Sequence, residues 1–175
     1  SIEKRGVMVI REFNGLKPKI HKTCFVADSV DVIGDVEMEK DSSAWFGTVI
    51  RADMHYIKIG ERTNIQDNCT VHVTTDLHPT VIGNEVTIGH NVIIHGCEIE
   101  DRCLIGMGAI IMDGALIGEG SLIGAGALVS PGTIIPPKSV VVGLPAKVVR
   151  QTTPEEDKEI IDRAQHYIDY ANKYK

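Results

Sequence analysis

Large branched residues return at every sixth position along most of this chain. From Ile99 onward the sequence divides into IEDRCL, IGMGAI, IMDGAL, IGEGSL, IGAGAL, VSPGTI and IPPKSV. Ile or Val opens each of these blocks, and a small or compact residue fills the fifth place. The same register runs upstream through VADSVD, VIGDVE, MEKDSS, AWFGTV and IRADMH. After two short interruptions it resumes, first as IGERTN, IQDNCT and VHVTTD, then as IGNEVT and IGHNVI. A strand repeats every second residue and a helix every 3.6, so neither produces this period. A short strand followed by a tight turn does, with the large residue pointing inward and the small one fitting inside the corner. Three blocks close a triangular coil, and successive coils stack at a strand spacing of about 4.8 Å. The pattern predicts an all-β solenoid, a parallel β-helix domain over residues 1–152 that begins with a short strand segment.

The rhythm changes in the last segment, TTPEEDKEIIDRAQHYIDYANKYK. Thr153 suits an N-cap, Pro154 the first helical position, and Glu156 completes a capping box. Ile160, Ile161, Ala164, Tyr167, Ile168 and Ala171 then recur at helical spacing. Residues 153–175 are therefore expected to form an amphipathic helix on the flank of the solenoid or on a neighbouring subunit.

Composition narrows the picture. Hydrophobic residues make up 43% of the 175 but aromatic ones only 5%, so Val, Ile and Ala must fill the core. The formal charge of −6, without a run of Lys or Arg, argues against a nucleic-acid surface or a polybasic membrane patch. No apolar run approaches the roughly 20 residues that span a bilayer. The N-terminus shows no basic stretch followed by an apolar run, so no signal peptide is expected. Cys24, Cys69, Cys97 and Cys103 lack CxxC spacing and fall within apolar segments. They read as reduced small hydrophobes, and hence as those of an intracellular, cytoplasmic protein.

The chemistry concentrates around VTIGHNVIIHGC, where His90 and His95 interrupt a strand-like run with no acid beside either. If each interruption bulges out without consuming a face, Arg51, His72 and His95 stand at the second position of their blocks on one face of successive coils. Asp67 and His90 then share the third position on the preceding face. The block IHGCE is one residue short, so the register slips just after His95. Within a single solenoid His90 points away from the other two histidines. In a trimer around a three-fold axis, one subunit's His72 and His95 meet the next subunit's His90. Three imidazoles with an open fourth position are the ligand set of a catalytic zinc site. Solvated surface histidines are the competing reading of this spacing, and the one given to His21, His55 and His166. His78 is read the same way, although it lies in the loop next to the site.

The pattern VIRAD…NIQDNCTVH…HPTVIG…VTIGHNVIIHGC closely resembles the γ-class carbonic anhydrases, in particular the short γ-carbonic anhydrase-like, or ferripyochelin-binding, members. The likeness spans nearly the whole chain, including the GLPAKVVR exit. It implies a left-handed β-helix, a homotrimer, and reversible hydration of carbon dioxide to bicarbonate. It also implies zinc, with iron or cobalt as alternatives, bound across subunits by His72, His90 and His95. Arg51 and Asp53 match the family's R-x-D pair, whose arginine stabilises the trimer and positions bicarbonate. Such a fixed guanidinium can pair with a planar anion in bidentate fashion. Asn64, Gln66 and Asp67 match N-x-Q-D, which implies a glutamine near the bound water and an aspartate supporting the arginine. Tyr167 matches a tyrosine of the terminal helix that approaches the metal.

The chain departs from the best-known pattern in two places. Met54 replaces a glutamate directly after the R-x-D aspartate, and the acidic proton-transfer loop shrinks to VTTDLHPT, with Asp76 and His78 as its polar candidates. Hexapeptide-repeat acyltransferases and CoA-thioesterases are the competing enzymes, although the insertions around Tyr56 and Leu77 are short for an acyltransferase's histidine loop. Met54 favours a third reading, a metal-binding structural trimer with little catalysis. No aromatic or basic pocket pattern suits an iron–siderophore chelate.

Overall fold

A computed structural model describes residues 9–175 as a parallel β-solenoid of about seven coils closed by one C-terminal helix, matching a left-handed β-helix of hexapeptide repeats. Residues 1–8 of the expected solenoid domain, and the N-terminal stretch read for a leader, lie outside the described residues.

Each coil places one large inward residue on each of three faces. The first face carries Ala44, Ile65, Ile88, Ile105, Ile123 and Val141; the second Val32, Ile50, Val71, Ile94, Ile111 and Val129; the third Met38, Ile59, Ile82, Ile99, Ile117 and Ile135. All are at most 3% exposed, and burying each of the larger ones stabilises the prism by about 1.5–3 kcal/mol. Strands stack in register, so Ile88 lies between Ile65 and Ile105, and Ile94 between Val71 and Ile111. Cys69, Cys97 and Cys103 are buried in the column with free thiols. Burial pushes their pKa up to about 11, 12 and 12, so they pack as small apolar groups.

The interruptions bulge without consuming a face, as the repeat count assumed. Inward residues are nine apart from Ile50 to Ile59, eleven from Val71 to Ile82, and five from Ile94 to Ile99, against six elsewhere. All three anomalies fall at the corner between the second and third faces. One feature differs from the expected short strands. Asp31–Met38 and Val49–Ile59 run unbroken through that corner, joining the two faces into one twelve-stranded sheet. Their register shifts between Gly34 and Val36, where Gly34 takes φ +79°. A Cβ on Gly34 would sit 2.2 Å from the Ala52 carbonyl oxygen, so only glycine lets the backbone carrying Arg51 and Asp53 come this close.

After the last coil, Ser139–Gly143 pairs antiparallel with Ala146–Gln151, and the chain turns into the helix Pro154–Tyr174. The expected capping box is present, with Thr153 accepting from the Glu156 amide and Glu156 accepting from the Thr153 amide. The helix lies on the first face of its own solenoid, against the strands at Phe25, Ser43 and Thr87. Ile160, Ala164 and Ala171 are buried there; Ile161, expected on the apolar stripe, is 44% exposed. No helix among the described residues is long and apolar enough to cross a membrane.

Candidate metal centre

The second face carries the histidine ladder. His95 pairs with His72 in the parallel register, and Ile50 pairs with Val71 one residue before Arg51 and His72. His72 Nδ1 and His95 Nε2 lie 3.1 Å apart, with the rings edge-on to one another. Each ring's outer nitrogen meets a carboxylate. His72 Nε2 is 3.0 Å from Asp53 Oδ1, and His95 Nδ1 is 2.5 Å from Asp113 Oδ1. Asp53 also accepts from Arg51 Nη1 at 2.6 Å. Burial pushes the Asp53 carboxyl up, but the hydrogen bonds from His72 and Arg51 and the guanidinium charge outweigh it and hold the group below its ordinary range. Asp113 follows the same logic. Burial raises it, whereas the hydrogen bonds from Thr74 and His95 and the charges of His95 and His78 bring it down.

His90 stands apart, on the turn after Thr87–Ile88 of the first face. Its Nδ1 is 3.0 Å from Asp67 Oδ1, the residue at the same phase one coil below. Gln66, Met107, Arg163 and Tyr167 line a cleft with it. Gln66 is buried, and its amide donates to Asn64 Oδ1, while Asn64 in turn donates to Thr87. Tyr167 packs edge-on against Trp45. Burial, with the charge of Asp67 behind it, raises its hydroxyl above the ordinary tyrosine value. The sequence-predicted residues thus form two clusters: Arg51, Asp53, His72 and His95 on one, and Gln66, Asp67, His90 and Tyr167 on the other. Among the described residues of one chain, no three candidate ligands converge on a point. The aspartate that Arg51 meets within its own chain is Asp53; Asp67 meets His90 instead. Met54 is 47% exposed and brings no acid to the site. His78 lies over the shortened corner, against Gly96 and Gly114, and Asp76 sits in the turn before it.

The donor chemistry fits a cation. Carboxylates on the outer nitrogens of His72 and His95 fix the protons there, which leaves lone pairs on both inner nitrogens, facing each other at 3.1 Å. Two lone pairs repel at that distance unless a proton or a metal ion joins them. Imidazole nitrogens with free lone pairs are donors that zinc takes, and His72 and His95 would offer two of them to such an ion. Carboxylate support of each ligating imidazole is also the usual outer shell of such a site. Asp113 and Thr74, whose hydroxyl donates to Asp113 Oδ2 at 2.5 Å, join the site without a motif in the sequence that marks them.

Comparison with known proteins shows the family. Residues 79–112 and 96–131 match the family model "Bacterial transferase hexapeptide (six repeats)". The chain is 44% identical over 167 residues to a protein named carbonic anhydrase from Geobacillus kaustophilus, covering 95% of this chain and 91% of that protein. It is 48% identical to a probable carbonic anhydrase from Methanocaldococcus jannaschii, covering 85% of this chain and 93% of that one. Against the plant mitochondrial γ carbonic anhydrase 1 of Arabidopsis thaliana it is 46% identical over 74 residues, which spans only 27% of that longer protein. Among solved structures, that of a putative acetyltransferase from Bacillus cereus superposes with a TM-score of 0.93 at 46% identity. That match covers 95% of this chain and 96% of the other.

Proposed function

The chain belongs to the γ-carbonic anhydrase family of hexapeptide-repeat proteins, and from that premise we propose that it catalyses the reversible hydration of carbon dioxide at zinc sites shared between subunits of a homotrimer. The observation that carries the reading is the facing pair of imidazole nitrogens 3.1 Å apart, each ring braced by its own aspartate, with the third histidine on a different corner. His72 and His95 of one subunit and His90 of the next would hold the ion, with iron or cobalt as substitutes. A bound zinc lowers the pKa of water to about 7 and so makes a nucleophile for carbon dioxide available at neutral pH.

The chain's own residues supply the rest. Asp53 tethers the Arg51 guanidinium through Nη1, and the side chain, 45% exposed, keeps its other donors free for a planar anion such as bicarbonate. Gln66 stands beside His90 with its amide already donating to Asn64, which leaves its carbonyl oxygen free to accept from a water in the cleft. Tyr167 closes the cleft beside Gln66 with a hydroxyl that stays protonated and can donate. Ile93 and Met112 next to His95, and Met107 next to His90, are exposed on the lone chain, and contact between subunits would cover them. Met54 brings no acid group, so proton release falls to residues such as Asp76 and His78, and turnover is expected to be slow.

The test is carbon dioxide hydration by the metallated protein, before and after chelation, together with metal content and mass in solution. A fully zinc-loaded trimer with no rate above background would reject the activity. Acyl transfer is a second reading, supported by the chain's likeness to the Bacillus cereus putative acetyltransferase, and thioesterase action on CoA esters goes with it. Calorimetric binding of acetyl-CoA would favour it. A trimer that binds zinc but neither hydrates carbon dioxide nor binds acetyl-CoA would be the structural form.

A further inference from the structure

We propose that Asp113 and Thr74 form a positioning clamp that fixes His95 as an Nε2 ligand; the inference rests on the metal reading of the site. Asp113 stands one coil above Gly96, in the turn after Ile110–Ile111, and its two carboxylate oxygens are both committed. Oδ1 accepts from His95 Nδ1 and Oδ2 from Thr74 Oγ1, each at 2.5 Å. The proton of a neutral His95 is therefore held on Nδ1, and the lone pair is directed from Nε2 toward His72.

Two local irregularities build the clamp. The eleven-residue spacing in the Val71 coil loops out a short turn that folds back on itself, with the Thr74 and His78 backbones exchanging hydrogen bonds at 3.0 and 3.2 Å. That loop carries the Thr74 hydroxyl upward past the next coil to Asp113. The five-residue spacing in the Ile94 coil puts Gly96, at φ +59°, where a Cβ would lie 2.8 Å from Asp113 Oδ1 and 2.9 Å from His78 Cβ. The insertion in one coil and the deletion in the next thus clear the path along which Thr74 and Asp113 reach the ring. Thr80 locks the same corner, donating to the His72 carbonyl at 2.6 Å and accepting from the Gly96 amide at 2.8 Å.

The test compares wild type, Asp113→Asn and Thr74→Val by competition for zinc against a chromogenic chelator, and by side-chain ¹⁵N shifts of the histidines in metal-free protein. Asp113→Asn is expected to weaken zinc binding roughly 10- to 100-fold. It should also move the His95 proton from Nδ1 toward Nε2, because an amide can turn its NH₂ to the ring. Thr74→Val leaves the carboxylate in place and is expected to weaken binding only a few-fold, with the tautomer kept. A merely structural Asp113 would lower the unfolding midpoint without moving the tautomer. Unchanged zinc affinity and an unchanged His95 tautomer in Asp113→Asn would overturn the clamp. Wild-type protein that takes up no zinc would instead overturn the metal reading, while the ¹⁵N shifts still decide where Asp113 holds the proton.

Discussion

The proposed division of three histidine ligands between two corners of one chain makes a prediction that few other arrangements share. Consider two inactive variants, one with His90→Ala and one with His72→Ala. Each alone leaves every site of a trimer short of one imidazole, so neither should bind zinc tightly or hydrate carbon dioxide. Now let the two chains, carrying different affinity tags, assemble together, and purify only trimers that hold both. In a closed three-fold ring each site takes its histidine pair from one chain and its third histidine from the next. A ring of mixed composition, whether two-to-one or one-to-two, contains a single junction where an intact pair faces an intact His90. About one third of the sites should therefore regain all three ligands. Zinc content and hydration rate should both recover to about a third of the wild-type values, from parents that have neither. The proposal starts from the geometry of one chain, in which His72 and His95 lie 3.1 Å apart whereas His90 pairs with Asp67 on another face. Mixed trimers no better than their parents would refute the reasoning, because ligands drawn from one chain cannot complement. Full zinc binding by either variant alone would show that its missing histidine is not a ligand.

Gly34→Ala should lower stability by about 1–3 kcal/mol through its left-handed φ of +79°. It should also weaken zinc binding, because the new Cβ would drive into the Ala52 carbonyl between Arg51 and Asp53. Gly126→Ala, at φ +69° with nothing within 4 Å, should show the strain in thermal unfolding and leave zinc binding unchanged. Glu156 is held down to about 2, chiefly by its hydrogen bond from Arg150 and then by the Thr153 amide, against an ordinary value of 4.5. A carboxyl depressed on folding stabilises above its unfolded pKa. The difference in unfolding midpoint between wild type and Glu156→Gln should therefore be constant above about pH 4.5 and vanish as pH falls toward 2. Finally, iodoacetamide at pH 8 should leave Cys69, Cys97 and Cys103 unmodified in the native protein, since a thiol raised to about 11 is roughly one part in a thousand thiolate there. Peptide mapping that finds any of the three alkylated before unfolding would contradict their burial.

What the chain discloses before it folds depends on phase. The inward Ile and Val columns repeat at fixed separation, so the period of six is visible directly, and residues at equal phase on successive coils become neighbours. His72 with His95 and Asp67 with His90 are such pairs, each readable by counting from the inward residue. Arg62, Glu85 and Arg102 obey the same rule along another corner. The interruptions did not spoil the count, because loops of surplus backbone leave the core column intact. The partners that brace the histidine pair do break the rule. Asp53 stands at the fourth position of its block and Asp113 at the third, whereas the histidines they hold stand at the second. Asp53 is legible only through resemblance, as part of an R-x-D pair; within one chain Asp67 meets His90, its neighbour in phase. Asp113 had no signal at all, since IMDGAL differs little from IGEGSL, which offers Glu119 at the same place. What separates Asp113 from Glu119 is the coil below: a missing side chain at Gly96, and a looped-out Thr74 whose reach depends on how eleven residues cross a corner that six would cross. The long strands Asp31–Met38 and Val49–Ile59 are hidden too, because alternate burial, continuous in the first and confined to the two ends of the second, overlies the six-residue rhythm rather than replacing it. Regular repeats reveal the scaffold and the histidines at equal phase, whereas the groups that brace them sit where the repeat fails, and a failure of spacing tells where a chain departs from its path but not which side chains the departure brings together.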